Sequence, residues 1–250
     1  MKLLEQKVAI VTGGGSGIGR SIARLYTQNG AKACVSDIDE EGGKTTVKQI
    51  EEAGGTAFFF KADAGIPEDN KKMVEATIEK YGALHIACNN AGITGPQALI
   101  GECPIEEWDH ALRVNLSGVF YGMRYQIPEM LKAGGGVIVN MSSVLGKVAF
   151  EGSSAYVSSK HGLLGLTKTA ALEYSGHGIR TVAVGPGFIQ TPMISNNLSE
   201  DEIKMVRQLH PIGRLGEAEE VAELVLWLSS DKASFMSGAY IPVDGGYLAR

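Results

Sequence analysis

The sequence predicts a doubly wound α/β fold, in which a mostly parallel sheet is covered by helices on both faces. Short apolar runs alternate with helical patterns along the whole chain. A repeated order of strand, helix and strand is typical of a parallel sheet. The runs are almost entirely apolar, as strands are when both faces of their sheet are buried.

Seven runs are predicted as strands. The first is VAIVT at positions 8–12, which is rich in β-branched residues and is followed by glycines. Similar runs lie at positions 33–37, 56–63, 84–90, 136–143, 179–186 and 239–246.

Helices are predicted between these runs from start signals and apolar spacing. Two begin after Pro67 and Pro104, where acidic residues follow the proline. Two long helices are predicted at about 105–132 and 153–175. Near the C-terminus, apolar residues recur at the spacing of one helix face: Val221, Leu224, Val225 and Leu228.

The length and composition indicate one globular domain. A chain of 250 residues is near the upper limit for a single hydrophobic core, and no Pro- or Ser-rich linker divides it. We therefore predict that residues 1–250 form one dinucleotide-binding and catalytic domain. The segment at about 190–212 combines polar residues with a short amphipathic pattern and is predicted to be a mobile lid.

Charge and cysteine usage narrow the class of protein. The net charge is -5 and no basic run is present, which argues against a nucleic-acid surface. The three cysteines are scattered and two lie in apolar runs, as free thiols do in a reducing compartment. The histidines show no metal-ligand spacing, no segment is long and apolar enough for a membrane span, and no cleavage signal is visible. We expect a cytoplasmic protein without a metal site.

The segment TGGGSGIGR follows the first strand directly, at positions 12–20. A strand, a glycine loop and a helix together form the usual cradle for a pyrophosphate, as in Rossmann-type folds. Gly13 permits the turn, Gly17 lets the backbone approach the phosphates, and Gly19 allows close helix packing. We predict that the loop contacts the cofactor through Gly13, Ser16, Gly17, Ile18 and Gly19.

Asp37 ends the second strand, 20 residues after Gly17. A carboxylate at this place accepts hydrogen bonds from the hydroxyls of the adenosine ribose and repels a 2′-phosphate. Neither Ser16 nor Ile38 offers a cation to that phosphate. The sequence therefore favours NAD(H) over NADP(H), while Asp39 is the better candidate for a helix cap.

The stretch YVSSK places Tyr156 and Lys160 one helical turn apart, so that both side chains can face one cleft. An ammonium about 4 Å from a phenol is worth roughly 4 kcal/mol at an effective dielectric of about 20. That would lower the pKa of Tyr156 towards neutrality, against the opposing effect of burial. The pair is predicted to transfer a proton.

Two further polar residues lie near this pair in the predicted fold. Ser143 ends the fifth strand, where its hydroxyl can hold a carbonyl oxygen, although Ser142 competes for that role. Asn115 lies among apolar neighbours inside a predicted helix. It is either a satisfied core residue or part of a water relay.

Together these segments resemble the short-chain dehydrogenase/reductase family. The resemblance rests on TGGGSGIG, NNAG at 89–92, Asn115, Ser143, YVSSK and the Pro-Gly pair at 186–187, all in the family's order. It implies a seven-stranded sheet, a nicotinamide cofactor and usually a homotetramer. One departure is Gly185, where relatives often have Asn or Ser, and this is expected to loosen the loop.

The resemblance also implies a role for each residue of a catalytic tetrad. Tyr156 exchanges a proton with the substrate oxygen, Ser143 orients that oxygen, Lys160 binds the nicotinamide ribose and lowers the Tyr156 pKa, and Asn115 holds a water. Ser142 is then the structural serine. Further cofactor contacts are implied for Asp63, Asn90, Gly92, Pro186, Gly187, Ile189 and Thr191.

By the same resemblance, the substrate pocket is lined by Ser143, Leu145, Pro96, Met193, Ile194 and Met205. These mostly apolar walls favour a ketone or secondary alcohol with an apolar substituent. The alternatives are a 3-oxoacyl-carrier-protein reductase, a sugar or polyol dehydrogenase, and a dinucleotide-binding regulator without activity. The complete tetrad argues against the last.

Overall fold

The structure is a computed structural model that describes residues 2–249; Met1 and Arg250, the two ends of the predicted domain, lie outside it. The described residues contain a parallel sheet of seven strands in the order β3-β2-β1-β4-β5-β6-β7. The strands are β1 (Val8–Thr12), β2 (Lys32–Asp37), β3 (Thr56–Lys61), β4 (Ile86–Asn89), β5 (Gly136–Met141), β6 (Ile179–Pro186) and β7 (Tyr240–Val243).

Helices connect these strands. They are α1 (Gly17–Gln28), α2 (Glu40–Glu52), α3 (Pro67–Tyr81), α4 (Ile105–Leu112), α5 (Gly118–Lys132), α6 (Ser154–Tyr174), α7 (Pro192–Ser195), α8 (Glu200–Gln208) and α9 (Ala218–Ser229). Among residues 2–249, none of these helices is long and apolar enough to cross a membrane.

The predicted fold class and all seven predicted strands are confirmed. The strands β1 and β6 have the predicted bounds and β2 begins one residue earlier, whereas β3, β4, β5 and β7 are shorter than the predicted runs because the ends of those runs turn out of the sheet into loops. Two separate cores cover the two faces of the sheet. One includes Ile22 of α1 and Val225 of α9, and the other includes Met73 of α3 and Leu163 of α6.

The strand order determines where the cleft lies. It changes direction between β1 and β4, which are neighbours although two strands separate them in the chain. Connections that leave neighbouring strands towards opposite faces open a crevice at the carboxyl ends of those strands. The glycine loop after β1 and the segment after β4 therefore face each other across one cleft.

The long helix predicted at 105–132 is interrupted. Between α4 and α5, the residues Arg113–Ser117 form a π-helical turn, and the Gly118 amide bonds back to the Arg113 carbonyl. A π turn shifts the backbone hydrogen-bond register and is often found at functional sites. Asn115 lies in the middle of this turn.

The lid predicted at about 190–212 contains two short helices. Ser199 begins α8 with a capping box, in which its hydroxyl accepts from the Glu202 amide and the Glu202 carboxylate accepts from the Ser199 amide. This reciprocal pair satisfies backbone groups at the start of the helix. The second half of the predicted lid is therefore largely helical.

Candidate active site

Loops at the carboxyl ends of the strands enclose a cleft of about 540 Å³. Nearly every residue predicted for the site lines it. These residues are Gly13, Ser16, Gly17, Ile18, Gly19, Asp37, Asp63, Asn90, Gly92, Ser143, Leu145, Tyr156, Lys160, Pro186, Gly187, Ile189, Thr191, Met193, Ile194 and Met205. Asn115 and Pro96 do not line it.

The glycine loop has the geometry of a phosphate cradle. Gly13 and Gly17 have φ values of 65° and 48°, which side chains rarely adopt, and a Cβ on Gly19 would lie 2.1 Å from the Gly13 carbonyl oxygen. The first turn of α1 has no side-chain cap and no acidic residue. Its backbone N–H groups and the positive end of the helix dipole are therefore available to an anion.

Asn90 fastens the glycine loop to the end of β4. Its side-chain amide donates to the Thr12 carbonyl over 2.9 Å, and its backbone amide donates to the Thr12 hydroxyl over 3.0 Å. A Cβ on Gly13 would lie 2.8 Å from the Asn90 amide nitrogen. Asn90 thus borders the cleft and also holds the loop that forms it.

Asp37 is held at the edge of the same loop. One carboxylate oxygen accepts from the Gly15 amide over 2.8 Å, and the other accepts from the Asp39 amide over 2.9 Å. Arg20 lies nearby, but its guanidinium donates to the Gly15 carbonyl and to the Thr46 hydroxyl. Asp39 caps α2 by accepting from the Glu41 amide, as its position predicted.

The two candidate serines after β5 have different partners. The Ser142 hydroxyl donates to the Lys160 carbonyl over 2.9 Å and so ties β5 to α6. The Ser143 hydroxyl accepts from the Leu145 amide over 3.1 Å, which leaves its proton to be donated into the cleft. The Ser143 hydroxyl also acts on the Tyr156 phenol, whose pKa it lowers.

Tyr156 and Lys160 lie on one face of α6, as the spacing predicted. The Lys160 ammonium is buried, donates to the Met141 carbonyl over 2.8 Å, and lies 5.4 Å from the centroid of the Tyr156 ring. Tyr156 is half-buried and packs in an apolar cluster with Leu145 and Phe188. The ammonium, the phenol and the Ser143 hydroxyl thus meet at one wall of the cleft.

The direction of the Tyr156 pKa corrects the expectation drawn from the sequence. Burial raises the pKa of the Tyr156 phenol, and the hydrogen bond with Ser143 lowers that pKa by less. The loss of hydration of the phenolate is therefore the dominant effect on the Tyr156 pKa. Burial also lowers the pKa of Lys160 to about 8.

The side chain of Asn115 is hydrogen-bonded to its neighbours through both its oxygen and its nitrogen. Its oxygen accepts from the Ile93 amide over 2.8 Å, and its nitrogen donates to the Ile93 carbonyl over 2.8 Å and to the Ser159 hydroxyl over 3.3 Å. The side chain thus has the partners expected of a satisfied core residue, while its part in a water relay stays a prediction. It fixes the loop after Gly92 against α6, beside Lys160.

The predicted substrate walls are apolar, with one correction. Leu145, Met193 and Met205 line the cleft, but Pro96 does not, and its neighbour Gln97 does. Gly95, with a φ of 72°, packs against α4 and α6 and turns the chain so that Gln97 faces inward. The Gln97 amide then donates to the Ser153 hydroxyl over 3.3 Å.

The sequence did not reveal an aromatic pair in the wall. Phe150 and Phe188 line the cleft, with ring centroids 5.9 Å apart. Neither lies in a recognisable motif; only the position of Phe188 directly after the Pro-Gly pair could have indicated it. The two rings make the substrate end of the cleft more apolar than predicted.

His210 joins the lid to the loop after β6 and was also not predicted. Its Nε2 accepts from the Phe188 amide over 3.1 Å, so Nδ1 carries the proton and donates to the Val206 carbonyl of α8 over 2.8 Å. A Cβ on Gly187 would lie 2.6 Å from Nε2. The buried imidazole therefore occupies the space that this glycine leaves.

The chain matches known proteins over nearly its whole length. Residues 13–248 match the family model described as Enoyl-(Acyl carrier protein) reductase. The chain is 49% identical to cyclohexanol dehydrogenase of Acinetobacter sp. (strain SE19), covering 98% of this chain and 96% of that protein. It is 40% identical to a 3-oxoacyl-acyl-carrier-protein reductase of Thermotoga maritima, covering 97% and 98%. The crystal structure of levodione reductase superimposes with a TM-score of 0.94 at 34% identity, covering 98% and 99%.

Proposed function

Because the chain belongs to the short-chain dehydrogenase/reductase family, we propose that it transfers a hydride between NAD(H) and a ketone or secondary alcohol. The observation that carries this proposal is the shared wall of the cleft, where the Tyr156 phenol, the Ser143 hydroxyl and the Lys160 ammonium meet. In this proposal residues 1–250 act as one catalytic domain, with a lid at about 190–212.

The residues of the cleft fit a nicotinamide dinucleotide. The uncapped start of α1 and the glycine loop would hold its pyrophosphate, and Asp37 would accept from its adenosine ribose. Asp63, Asn90 and Gly92 would border the adenosine half, and Pro186, Gly187, Ile189 and Thr191 the nicotinamide half. When bound, the cofactor supplies or accepts the hydride.

The choice of NAD(H) over NADP(H) rests on charge. Asp37 places a carboxylate where a 2′-phosphate would lie. Arg20, a cation beside the loop, donates through Nε to the Thr46 hydroxyl and through Nη2 to the Gly15 carbonyl, so these two nitrogens are directed to the protein. A phosphate at this place would meet a like charge, whereas the ribose hydroxyls of NAD(H) would meet an acceptor.

The proton follows a short path through this chain's own residues. During reduction the Tyr156 phenol donates its proton to the carbonyl oxygen, and during oxidation it takes the proton back. Because Leu145 already donates to the Ser143 oxygen, the Ser143 hydroxyl points its proton at the same carbonyl oxygen. The raised pKa of Tyr156 keeps the phenol protonated and ready to donate. Lys160 binds the nicotinamide ribose and stabilises the phenolate that donation leaves.

The substrate is an apolar ketone or secondary alcohol, and an alicyclic one fits best. Leu145, Phe150, Phe188 and Met193 form the wall beside Tyr156, and the Gln97–Ser153 pair adds one polar point. A cavity of this lining favours a compact apolar ring over a polyhydroxylated chain. The similarity to cyclohexanol dehydrogenase supports this choice.

Reduction of a 3-oxoacyl group on a carrier protein is the second candidate, favoured by the similarity to the Thermotoga maritima reductase. Asp37 argues against it, because that pathway usually draws on NADPH. The apolar wall argues likewise against a sugar or polyol.

We also place the protein in the cytoplasm as a homotetramer. All three cysteines are free, which suits a reducing compartment. Large apolar side chains are exposed on two sides of the molecule: Phe120 and Leu172 on α5 and α6, and Trp227 and Phe235 near α9. Such patches are typical of subunit interfaces. A monomer in light scattering would contradict the assembly.

The decisive test of the function is the variant Tyr156→Phe. NADH consumption is followed by absorbance with cyclohexanone, a sugar ketone and a 3-oxoacyl thioester as substrates. Wild type should reduce the alicyclic ketone most efficiently, and kcat should fall about a hundredfold to ten-thousandfold in Tyr156→Phe, the range that general acid catalysis contributes. The NADH dissociation constant, measured by fluorescence, should change little.

Tyr174→Phe serves as the matched control, since Tyr174 is another half-buried tyrosine of α6 but lies at the far end of the helix. Its kcat should equal that of wild type. Near-normal turnover by Tyr156→Phe would contradict the proton assignment, and preference for the thioester would favour the second candidate.

A further inference from the structure

We propose that Tyr240, on the edge strand β7, is a positioning residue for Ser143, and that Gly185 is a glycine because the Tyr240 phenol occupies its side-chain space. The inference rests on the proposed function, in which Ser143 orients the substrate oxygen. It assigns a role to the one position where this chain departs from the family pattern.

The contact crosses a strand of the sheet. The Tyr240 hydroxyl donates to the Ser143 backbone carbonyl over 3.0 Å. Ser143 follows β5, whereas Tyr240 belongs to β7, and β6 lies between them. Tyr240 pairs with Ala183 in register, so its phenol must reach along β6 and over Gly185 to the loop after β5.

Gly185 provides the passage. A Cβ at this position would lie 2.0 Å from the Tyr240 hydroxyl oxygen and 2.2 Å from the ring carbon that bears it. No side chain fits there unless the phenol moves. The expectation that Gly185 loosens the loop is therefore wrong, because the space that the glycine leaves is filled by a ring rather than by solvent.

The tether completes the fixation of Ser143. Its hydroxyl oxygen accepts from the Leu145 amide, and its carbonyl accepts from the Gly146 amide over 2.9 Å and from Tyr240. The Lys147 ammonium, which follows this turn directly, lies 5.2 Å from the centroid of the Tyr240 ring. The turn that orients the Ser143 hydroxyl is thus held by two of its own backbone amides and by Tyr240 of β7.

Tyr240 touches no reacting atom, since it does not line the cleft. Its effect would pass through the angle at which Ser143 presents its hydroxyl. Small errors of position in a catalytic group reduce the rate more than they reduce substrate binding. A fall in kcat with an unchanged KM is the expected signature.

The first test is the variant Tyr240→Phe, which keeps the ring and removes the donor. We expect kcat for ketone reduction to fall about fivefold, the equivalent of one neutral hydrogen bond. The KM for the ketone and the NADH dissociation constant should stay within twofold of wild type. Tyr174→Phe is again the control. An unchanged kcat in Tyr240→Phe would overturn the proposal.

The second test examines the coupling of the two positions. Gly185→Ala alone should lower kcat at least as far as Tyr240→Phe, because the methyl group displaces the phenol. In a Tyr240→Val background, Gly185→Ala should cost nothing further, since the ring it would strike is gone. Additive effects of the two changes would overturn the explanation of Gly185.

A readout independent of turnover separates this proposal from the proposed function. Hydrogen exchange of the peptide spanning 141–148 should be faster in Tyr240→Phe than in wild type, since the Leu145 and Gly146 amides are bonded to Ser143. Exchange as slow as in wild type would overturn the tether. If wild type reduces no ketone at all while this exchange still quickens, the proposed function fails and the tether stands.

Discussion

At the scale of single residues, the proposed preference for NAD(H) depends on Asp37 at the edge of the glycine loop. Its carboxylate is held by two backbone amides, from Gly15 and Asp39, so its position does not depend on the cofactor. A rigid carboxylate discriminates more sharply than a flexible one, because it cannot turn away from a 2′-phosphate at low cost.

Replacing this carboxylate should change the cofactor preference. In Asp37→Ala we expect kcat/KM with NADH to fall about tenfold to a hundredfold, because hydrogen bonds to a charged group are worth about 1.5–3 kcal/mol. Efficiency with NADPH should fall less or rise. Asp39→Ala, which removes the neighbouring carboxylate that caps α2, is the control and should keep the NADH preference. Equal wild-type efficiency with both cofactors would contradict the role of Asp37.

Whether the role of a single residue could be predicted depended on whether its partners lie close to it in the sequence. The pairing of Tyr156 with Lys160 follows from helix spacing, and the different partners of Ser142 and Ser143 follow from strand alternation. The raised pKa of Tyr156 could not be predicted, because it depends on burial by Phe188 and other residues distant in sequence. Pro96 was misplaced since the turn at Gly95 sets which neighbour faces the cleft.

At the scale of elements, His210 joins the end of the predicted lid to the loop after β6. His210, just after α8, bonds the Val206 carbonyl of that helix and the Phe188 amide of the loop after β6. Ile212 donates to the Gly245 carbonyl and so anchors the same segment to the C-terminal turn. These bonds anchor the end of the predicted lid to the rest of the fold.

Removing this anchor should loosen the lid. In His210→Ala two buried hydrogen bonds of about 1 kcal/mol each are lost. Because part of this free energy stabilises the substrate-bound state, we expect KM for the ketone to rise about tenfold. Limited proteolysis within 190–212 should be faster than in wild type. His177→Ala, an exposed histidine after α6, is the control. Unchanged KM and unchanged proteolysis would show that His210 does not hold the lid.

Element types were largely predictable, and one interruption was not. The helix starts at Pro67 and Ile105 and the apolar face of α9 appear directly in the sequence pattern. The π turn at Arg113–Ser117 has the same residue types as an ordinary helix. It is set by tertiary contacts, since the Asn115 amide must meet both the Ile93 backbone and Ser159.

At the scale of the whole molecule, the site lowers the stability of the fold. Burial lowers the pKa of Lys160 from 10.5 to about 8, so the folded chain releases this proton at a lower pH than the unfolded chain does. Below about pH 8 both states bind the proton and the cost of burying the charge is present in full. Between about pH 8 and 10.5 the unfolded state binds more protons, and this contribution to stability rises with pH.

The variant Lys160→Met should therefore be more stable than wild type at pH 7 while it loses activity. The pKa shift corresponds to at most about 3 kcal/mol, and the Met141 carbonyl loses a donor worth about 1 kcal/mol, which leaves about 2 kcal/mol. Urea unfolding at pH 7 and pH 10 measures the free energy of unfolding of variant and wild type. The extra stability of the variant should be smaller at pH 10 than at pH 7. Lys168→Met, an exposed lysine of α6, should show neither effect. A less stable Lys160→Met at pH 7 would contradict this account.

The global fold was the most predictable level. Alternating apolar runs and helical patterns determine a parallel sheet, and the glycine loop locates its cleft. The contact of Tyr240 with Ser143 could not be anticipated, because it joins residues 97 positions apart across an intervening strand. Only the unexplained glycine at 185 marked the place.

That glycine also imposes a direction on how the sequence can change over generations. A lineage that first acquires a larger residue at position 185 meets the Tyr240 ring and loses fitness at once. A lineage that first exchanges Tyr240 for a small residue suffers only the milder loss of the tether and can then vary position 185 freely. Natural variants of this enzyme should therefore be reached through the β7 position first.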